Sequence, residues 1–224
     1  MCARAGATRR PAIDRGPRSG HTHAVAPELR RLAPRVYLHA PGVAARGLPD
    51  GAIALAQHPG PAFGDGSHPT TRLCAGAVDL LARAATLPAA LDVGTGTGVL
   101  ARIARARGAG FVAATDIDPA AVSAARANAD LDHHAAAIEI GAHPPDHWGP
   151  RFALVVANIL EGPLLALAPA LGAALAPDGS LLLSGFTAVQ VPALLAAFGR
   201  DGLRLSSQAS LDGWILLQLR RGSR

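Results

Sequence analysis

The sequence predicts an α/β fold: an open, doubly wound, mostly parallel sheet that ends in an antiparallel hairpin. Two observations carry this. From Thr70 to Arg200 short runs of apolar residues alternate with segments of helical periodicity, the pattern of parallel strands buried on both faces by crossover helices. After Arg200 the alternation stops, and "LRLSSQAS" and "WILLQLRR" flank "LDG" with no room for a helix between them. A chain of 224 residues, 50% hydrophobic, suffices for one buried core with an appendage.

Taken in order, residues 1–26 read as a disordered, arginine-rich basic tail, or one that reflects a misassigned start. Residues 27–62 read as a short extended appendage holding "RVYLHA" and "GAIALAQ" between Pro-Gly turns. The domain proper spans 63–224. "TTRLCAGAVDLLARAA" is a helix behind a threonine cap. Strands follow at "AALDVG", "FVAATDI", "AAIEIG", "FALVVANIL" and "GSLLLSGF". Helices fall at "GVLARIARARG", "DPAAVSAARANAD", "GPLLALAPALGAAL" and "AVQVPALLAAFGR". With the hairpin the sheet has seven strands. Asp118 is the cap of the helix that opens at Pro119.

Composition limits the function classes. The net charge of +5 rests on arginine, because the chain has no lysine. It leaves an acidic partner such as a nucleic acid or a ribosomal surface open beside a solvated basic tail. Cys2 and Cys74 form no CxxC and suggest a reducing cytosol. No apolar run is long enough for a membrane span. His133, His134, His143 and His147 gather around the third domain strand. Without nearby cysteines or a visible supporting pattern they are expected to be solvated loop residues, with no metal bound.

The chemistry concentrates in "LDVGTGTGVL". Gly94, Gly96 and Gly98 alternate where a strand turns into a helix, which lets the backbone turn tightly and approach a ligand. Val99 stands where a dinucleotide fingerprint needs glycine, and no Gly-Lys-Ser/Thr exists for a phosphate loop. Asp92 precedes the turn. Asp116 ends the next strand, where a carboxylate can accept both hydroxyls of a ribose. The combination points to a nucleoside ligand.

"LDVGTGTG", "ATDIDPAAV", "VVANILEGPLLALAPAL" and "LLLSGF" together resemble class I S-adenosylmethionine-dependent methyltransferases, which have Rossmann-like sheets. "HPGPAFGDGSHPTTRLC" with "ANIL" narrows the resemblance to the family of ribosomal protein L11 methyltransferases, from about Gly51 to Arg220. The resemblance implies S-adenosyl-L-methionine as cofactor, contacted by Thr71, Gly94, Asp116 and Asn158, and a cytoplasmic enzyme that methylates amino groups of a protein substrate, a ribosomal protein. "FGDGSHPTT" would then be a lid, with Phe63 packed on the ligand. His68 would position that loop in preference to serving as a general base. Asn158 would aim the attacking amine, its other reading being a helix cap. Asp65 and Glu161 depart from the family pattern and would make the pocket mouth more anionic or be neutral surface changes. The first 46 residues are too short for the family's N-terminal recognition domain, so this reading leaves the substrate open: a different protein, a small amine or RNA, or no catalysis at all in a cofactor-binding module. Oligomeric state is not legible.

Overall fold

The computed structural model describes residues 29–132, 137–149 and 151–221. The reading of residues 1–26 therefore falls outside the described residues, as do His133 and His134. Three short strands come first: β1 (Arg30–Ala33), β2 (Val36–His39) and β3 (Ile53–Ala56). They form a small sheet in the order β1-β2-β3, with β1 antiparallel and β3 parallel to β2. The sequence reading missed β1.

The remaining elements are α1 (Pro69–Ala84), β4 (Ala89–Val93), α2 (Val99–Ala106), β5 (Phe111–Thr115), α3 (Pro119–Ala129), β6 (Ile138–Gly141), β7 (Phe152–Asn158), α4 (Glu161–Ala174), β8 (Leu175–Thr187), α5 (Val191–Arg200), β9 (Leu203–Leu211) and β10 (Trp214–Arg221). Seven of the strands form one sheet in the order β6-β5-β4-β7-β8-β10-β9, in which only the pairings of β10 are antiparallel. Asp212 and Gly213, at φ 50° and 81°, make the tight two-residue hairpin turn between β9 and β10. Strand β8 starts directly at the end of α4, four residues earlier than "GSLLLSGF". Its pairing with β7 shifts register between Phe152 and Leu154, which absorbs the Pro177–Gly179 stretch that reads as a turn.

Two apolar layers sandwich the large sheet, and the period-two alternation of the strands assigns side chains to each. Ala90, Leu154 and Val156 face a layer built with α1 and α2. Leu91, Val155 and Ala157 face α4 and α5, where Leu164, Leu171, Leu194 and Phe198 are fully buried. Val36, Leu38 and Leu55 of the small sheet belong to the first layer, so residues 30–56 share the core of the larger unit.

Two arginines of the α2 region hold the small sheet in place. Arg107 donates to Asp79 of α1 at 2.5 Å, to Gly51 O at 2.8 Å and to Arg35 O at 3.1 Å. Arg102, 1% exposed, pairs with Asp132 at 2.6 Å and donates to the carbonyl of Ala56. Among the described residues no helix is long and apolar enough to cross a membrane.

Candidate functional site

The chain builds outward from β4 through β5 to β6, then returns to the other side of β4 with β7. Ligands in open α/β sheets sit at such a reversal, outside the carboxyl ends of the strands. Val93 pairs with Thr115 on one side and Ala157 on the other, so the ends of β4, β5 and β7 are level. Beyond them lies a cavity of about 670 Å³, within the range that encloses a small-molecule cofactor.

Gly94 and Gly96 line this cavity. Their φ values are 71° and 55°, in the left-handed region that disfavours side chains. A Cβ at Gly96 would collide with the carbonyl oxygen of Phe63, and one at Gly94 with Ile159 Cγ2. The amides of Gly94 and Thr95 both donate to Thr115 O, at 2.8 and 3.0 Å, which ties the turn to the end of β5. Asp116 turns toward the glycines: its Oδ2 accepts the Gly96 amide at 3.0 Å and its Oδ1 the Asp118 amide at 3.1 Å. Each oxygen keeps a lone pair for a ligand hydroxyl.

Asn158 ends β7 on the opposite wall. Its Oδ1 is buried and has no hydrogen-bond partner among the described residues, an arrangement that costs free energy unless something else donates to it. The cap reading does not apply, because the residue that caps α4 is Leu160. Phe63, half exposed, closes the cavity from the loop before α1. That loop is fastened to the glycine turn: Thr97 N donates to Phe63 O at 2.9 Å and Thr97 Oγ1 to Gly64 O at 3.0 Å.

Of the residues expected from the sequence to form the cofactor site, three do not line the cavity. Asp92 lies on the α1/α2 side of β4, 1% exposed beneath the turn, and binds Thr95 Oγ1 at 2.6 Å and Ala101 N at 3.2 Å. Gly98 caps α2 with φ 80° and touches Ala125, so its lack of a side chain serves the contact with α3. Thr71 is buried in the first turn of α1, its Oγ1 without a partner among the described residues. Two strongly placed cavity residues escaped the sequence reading. Ile117 is 98% exposed on the rim, and only its apolar character between two aspartates could have marked it. His143 lines the wall next to Thr115, whose hydroxyl donates to His143 O at 2.5 Å.

His68 caps α1, its Nδ1 2.8 Å from Thr70 Oγ1, and its ring stands edge-on to Trp214 at 4.6 Å and tilted against Phe63 at 5.3 Å. Neither departure from the family pattern lies in the cavity lining. Asp65 caps its own turn through Ser67, whose hydroxyl and amide hold the carboxyl below its usual range, and it borders a separate depression with Arg30. Glu161 accepts from Gln190 at 2.8 Å.

Burial pushes the Asp92 carboxyl up to about 6, against the pull of its Thr95 and Ala101 hydrogen bonds and aided by the charge of Asp116. Its folded value lies above the unfolded one of about 3.9, so the folded chain holds the proton more tightly. The associated stabilisation is full below about pH 4 and is lost as pH rises through about 6. Asp92→Asn keeps an acceptor but does not titrate. Urea midpoints of the wild type should therefore fall relative to those of Asp92→Asn between pH 4 and 7, a window set by that value. Parallel pH curves would contradict the assignment.

The model of the family described as ribosomal protein L11 methyltransferase (PrmA) matches residues 40–222. The chain belongs to that family. It is 42% identical over 165 residues to the ribosomal protein L11 methyltransferase of Chromohalobacter salexigens, covering 74% of this chain and 54% of the relative. The namesake from Bordetella parapertussis is 41% identical over 197 residues, covering 86% and 59%. This chain thus spans somewhat more than half the length of the PrmA relatives it matches. The crystal structure of the ribosomal protein L11 methylase from Lactobacillus delbrueckii subsp. bulgaricus superposes with a TM-score of 0.76 at 29% identity, over 88% of this chain and 100% of that one. A TehB-like SAM-dependent methyltransferase from Corynebacterium glutamicum shares the fold, with TM-score 0.52, 18% identity and coverage of 65% and 86%.

The PrmA site fits S-adenosyl-L-methionine on its own geometry. A cradle that any Cβ would fill faces a carboxylate with lone pairs to spare, and the buried Asn158 Oδ1 in the same cavity lacks a donor among the described residues.

Proposed function

We propose that this chain is an S-adenosyl-L-methionine-dependent methyltransferase that N-methylates amino groups of a protein in the cytosol, with ribosomal protein L11 as the substrate. The observation that carries the reading is the unpartnered Asn158 carboxamide oxygen, in one cavity with the glycine turn and Asp116. When bound, the cofactor supplies an electrophilic methyl group on a sulfonium. Asp116 accepts the ribose hydroxyls, and charge-assisted bonds of this kind contribute about 1.5 to 3 kcal/mol each. Gly94 and Gly96 admit the ligand against bare backbone, and Phe63 excludes water above it.

Asn158 accepts an N–H of the incoming amine and so directs its lone pair along the line of transfer. Orientation of this kind can supply about 7 to 11 kcal/mol. A carboxamide cannot take a proton, so the amine must arrive neutral. A lysine ammonium with a pKa near 10.4 sheds its proton to water as it enters. The exposed apolar rim of Phe63, Ile117 and Leu160 favours the neutral form there.

The test is transfer of labelled methyl from the cofactor to ribosomal protein L11, followed by separation of protein, RNA and small-molecule fractions. Because this chain contains no lysine, label recovered as methyl-lysine comes from the substrate. Asn158→Ala is expected to lower kcat by about a hundredfold or more while cofactor affinity changes by a few-fold, as for loss of an interaction made in the transition state. Label confined to RNA or small amines, or full turnover in Asn158→Ala, would overturn the proposal. Cofactor binding without any transfer would favour the non-catalytic reading.

A further inference from the structure

Glu139, His143 and His147 bring a carboxylate oxygen and two imidazole nitrogens within 4.8 Å of one another on the exposed flank of β6. We propose that these three side chains form a site for a borderline divalent cation of the Zn2+ class. The donor set selects the ion. Two nitrogens and one oxygen suit Zn2+ and its first-row neighbours, whereas Mg2+ and Ca2+ favour oxygen alone and softer ions favour thiolate.

The backbone delivers both histidines together. Pro144 and Pro145 lie between them with fixed φ, and the His147 amide closes the turn on Pro144 O at 3.0 Å. The imidazoles consequently stack, with centroids 4.3 Å apart and planes at 9°. Supporting contacts are also in place. Trp148 Nε1 donates to Glu139 Oε1 at 3.2 Å, which orients the carboxylate and leaves Oε2 for the ion. The Trp148 ring stands edge-on to His143 and His147, at 5.6 and 5.0 Å, and packs against buried Phe152 at 5.9 Å.

Nitrogens on a tetrahedral Zn2+ lie about 3.3 Å apart, given Zn–N distances of about 2.0–2.1 Å. The ligand atoms lie within 4.8 Å of one another, and to bind, the two exposed imidazoles turn out of their stack so that their in-plane lone pairs converge on one ion. All three residues are exposed, so no buried group has to move and a water can take the fourth position. His143 also lines the cavity, so a bound ion would brace residues 139–147 against that wall.

The experiment needs neither the cofactor nor a substrate, and it stands apart from the methyltransferase reading. The full chain, stripped with a chelator, is titrated with Co2+ as the spectroscopic probe, and Zn2+ is then added in competition. The expected result is one equivalent with visible d–d bands that Zn2+ bleaches, and a melting midpoint that rises with Zn2+. The double variant His143→Ala/His147→Ala should lose that equivalent while its metal-free melting midpoint matches the wild type. Trp148→Phe should weaken Zn2+ binding about tenfold by removing the N–H that orients Glu139. His21→Ala/His23→Ala and His133→Ala/His134→Ala controls, which remove the other two closely spaced histidine pairs of the sequence, should each keep the bands. Absence of bleachable bands, or bands unchanged in the His143/His147 double variant, overturns the proposal.

Discussion

Gly96→Ala is expected to weaken S-adenosyl-L-methionine binding by more than about a hundredfold in a protein that remains folded. Two effects coincide at this position. The φ of 55° costs a side-chain-bearing residue about 1 to 2 kcal/mol. The added methyl would also overlap the Phe63 carbonyl, so the loop before α1 must lift off the turn. Lifting it breaks the Thr97 bonds to Phe63 O and Gly64 O and withdraws the Phe63 ring from the cavity mouth. Both walls of the cradle are thereby damaged by one carbon atom. Titration calorimetry reads the affinity, and far-ultraviolet circular dichroism with a melting curve shows that the sheet persists. Thr97→Val, which removes only the bond to Gly64 O, provides the graded case and should cost about 0.5 to 1.5 kcal/mol of stability.

The largest expected effect on stability is at Arg107. Arg107→Met should lower it by about 3 to 5 kcal/mol, the range for stripping a buried charge of its partner. Asp79 is 5% exposed, and after the change its remaining cation is Arg83, at 3.7 Å and substantially solvated. The Gly51 carbonyl loses the Arg107 donor as well, and the Arg35 carbonyl keeps only the Ile53 amide, which loosens the clamp that holds the small sheet to α1 and α2. Urea unfolding measures the loss. Adding Asp79→Asn should recover much of it, since the orphaned charge is gone. Equal destabilisation in the single and double variants would place the effect in packing instead.

The alternation of strands and helices was legible because parallel strands buried on both faces are continuous apolar runs, as in "AALDVG" and "FALVVAN". Asp116 and the glycine turn were legible for a related reason: the end of a buried strand is where the fold itself places a site. Strand β1 was not, since "RRLA" is half solvent-facing and becomes a strand only through its pairing with β2. Side-chain direction was the other gap. Nothing in the spacing of "LDVG" tells that Asp92 turns beneath the loop while Asp116 faces the cavity, because strand parity relative to α1 and α2 settles it. Asp65 likewise sits in the loop before α1 yet spends its carboxylate on Ser67. The meeting of Glu139 with two histidines depends on a proline-stiffened turn that periodicity does not encode.

The proposed methyl transfer requires a nucleoside gripped between Asp116 and the Gly94–Gly96 turn. Calorimetric titration of S-adenosyl-L-methionine into the wild-type chain and into Asp116→Ala tests this most directly. One site is expected in the wild type, with an affinity lower by roughly tenfold or more in the variant, corresponding to at least about 1.4 kcal/mol. Equal affinities in the two proteins would contradict it.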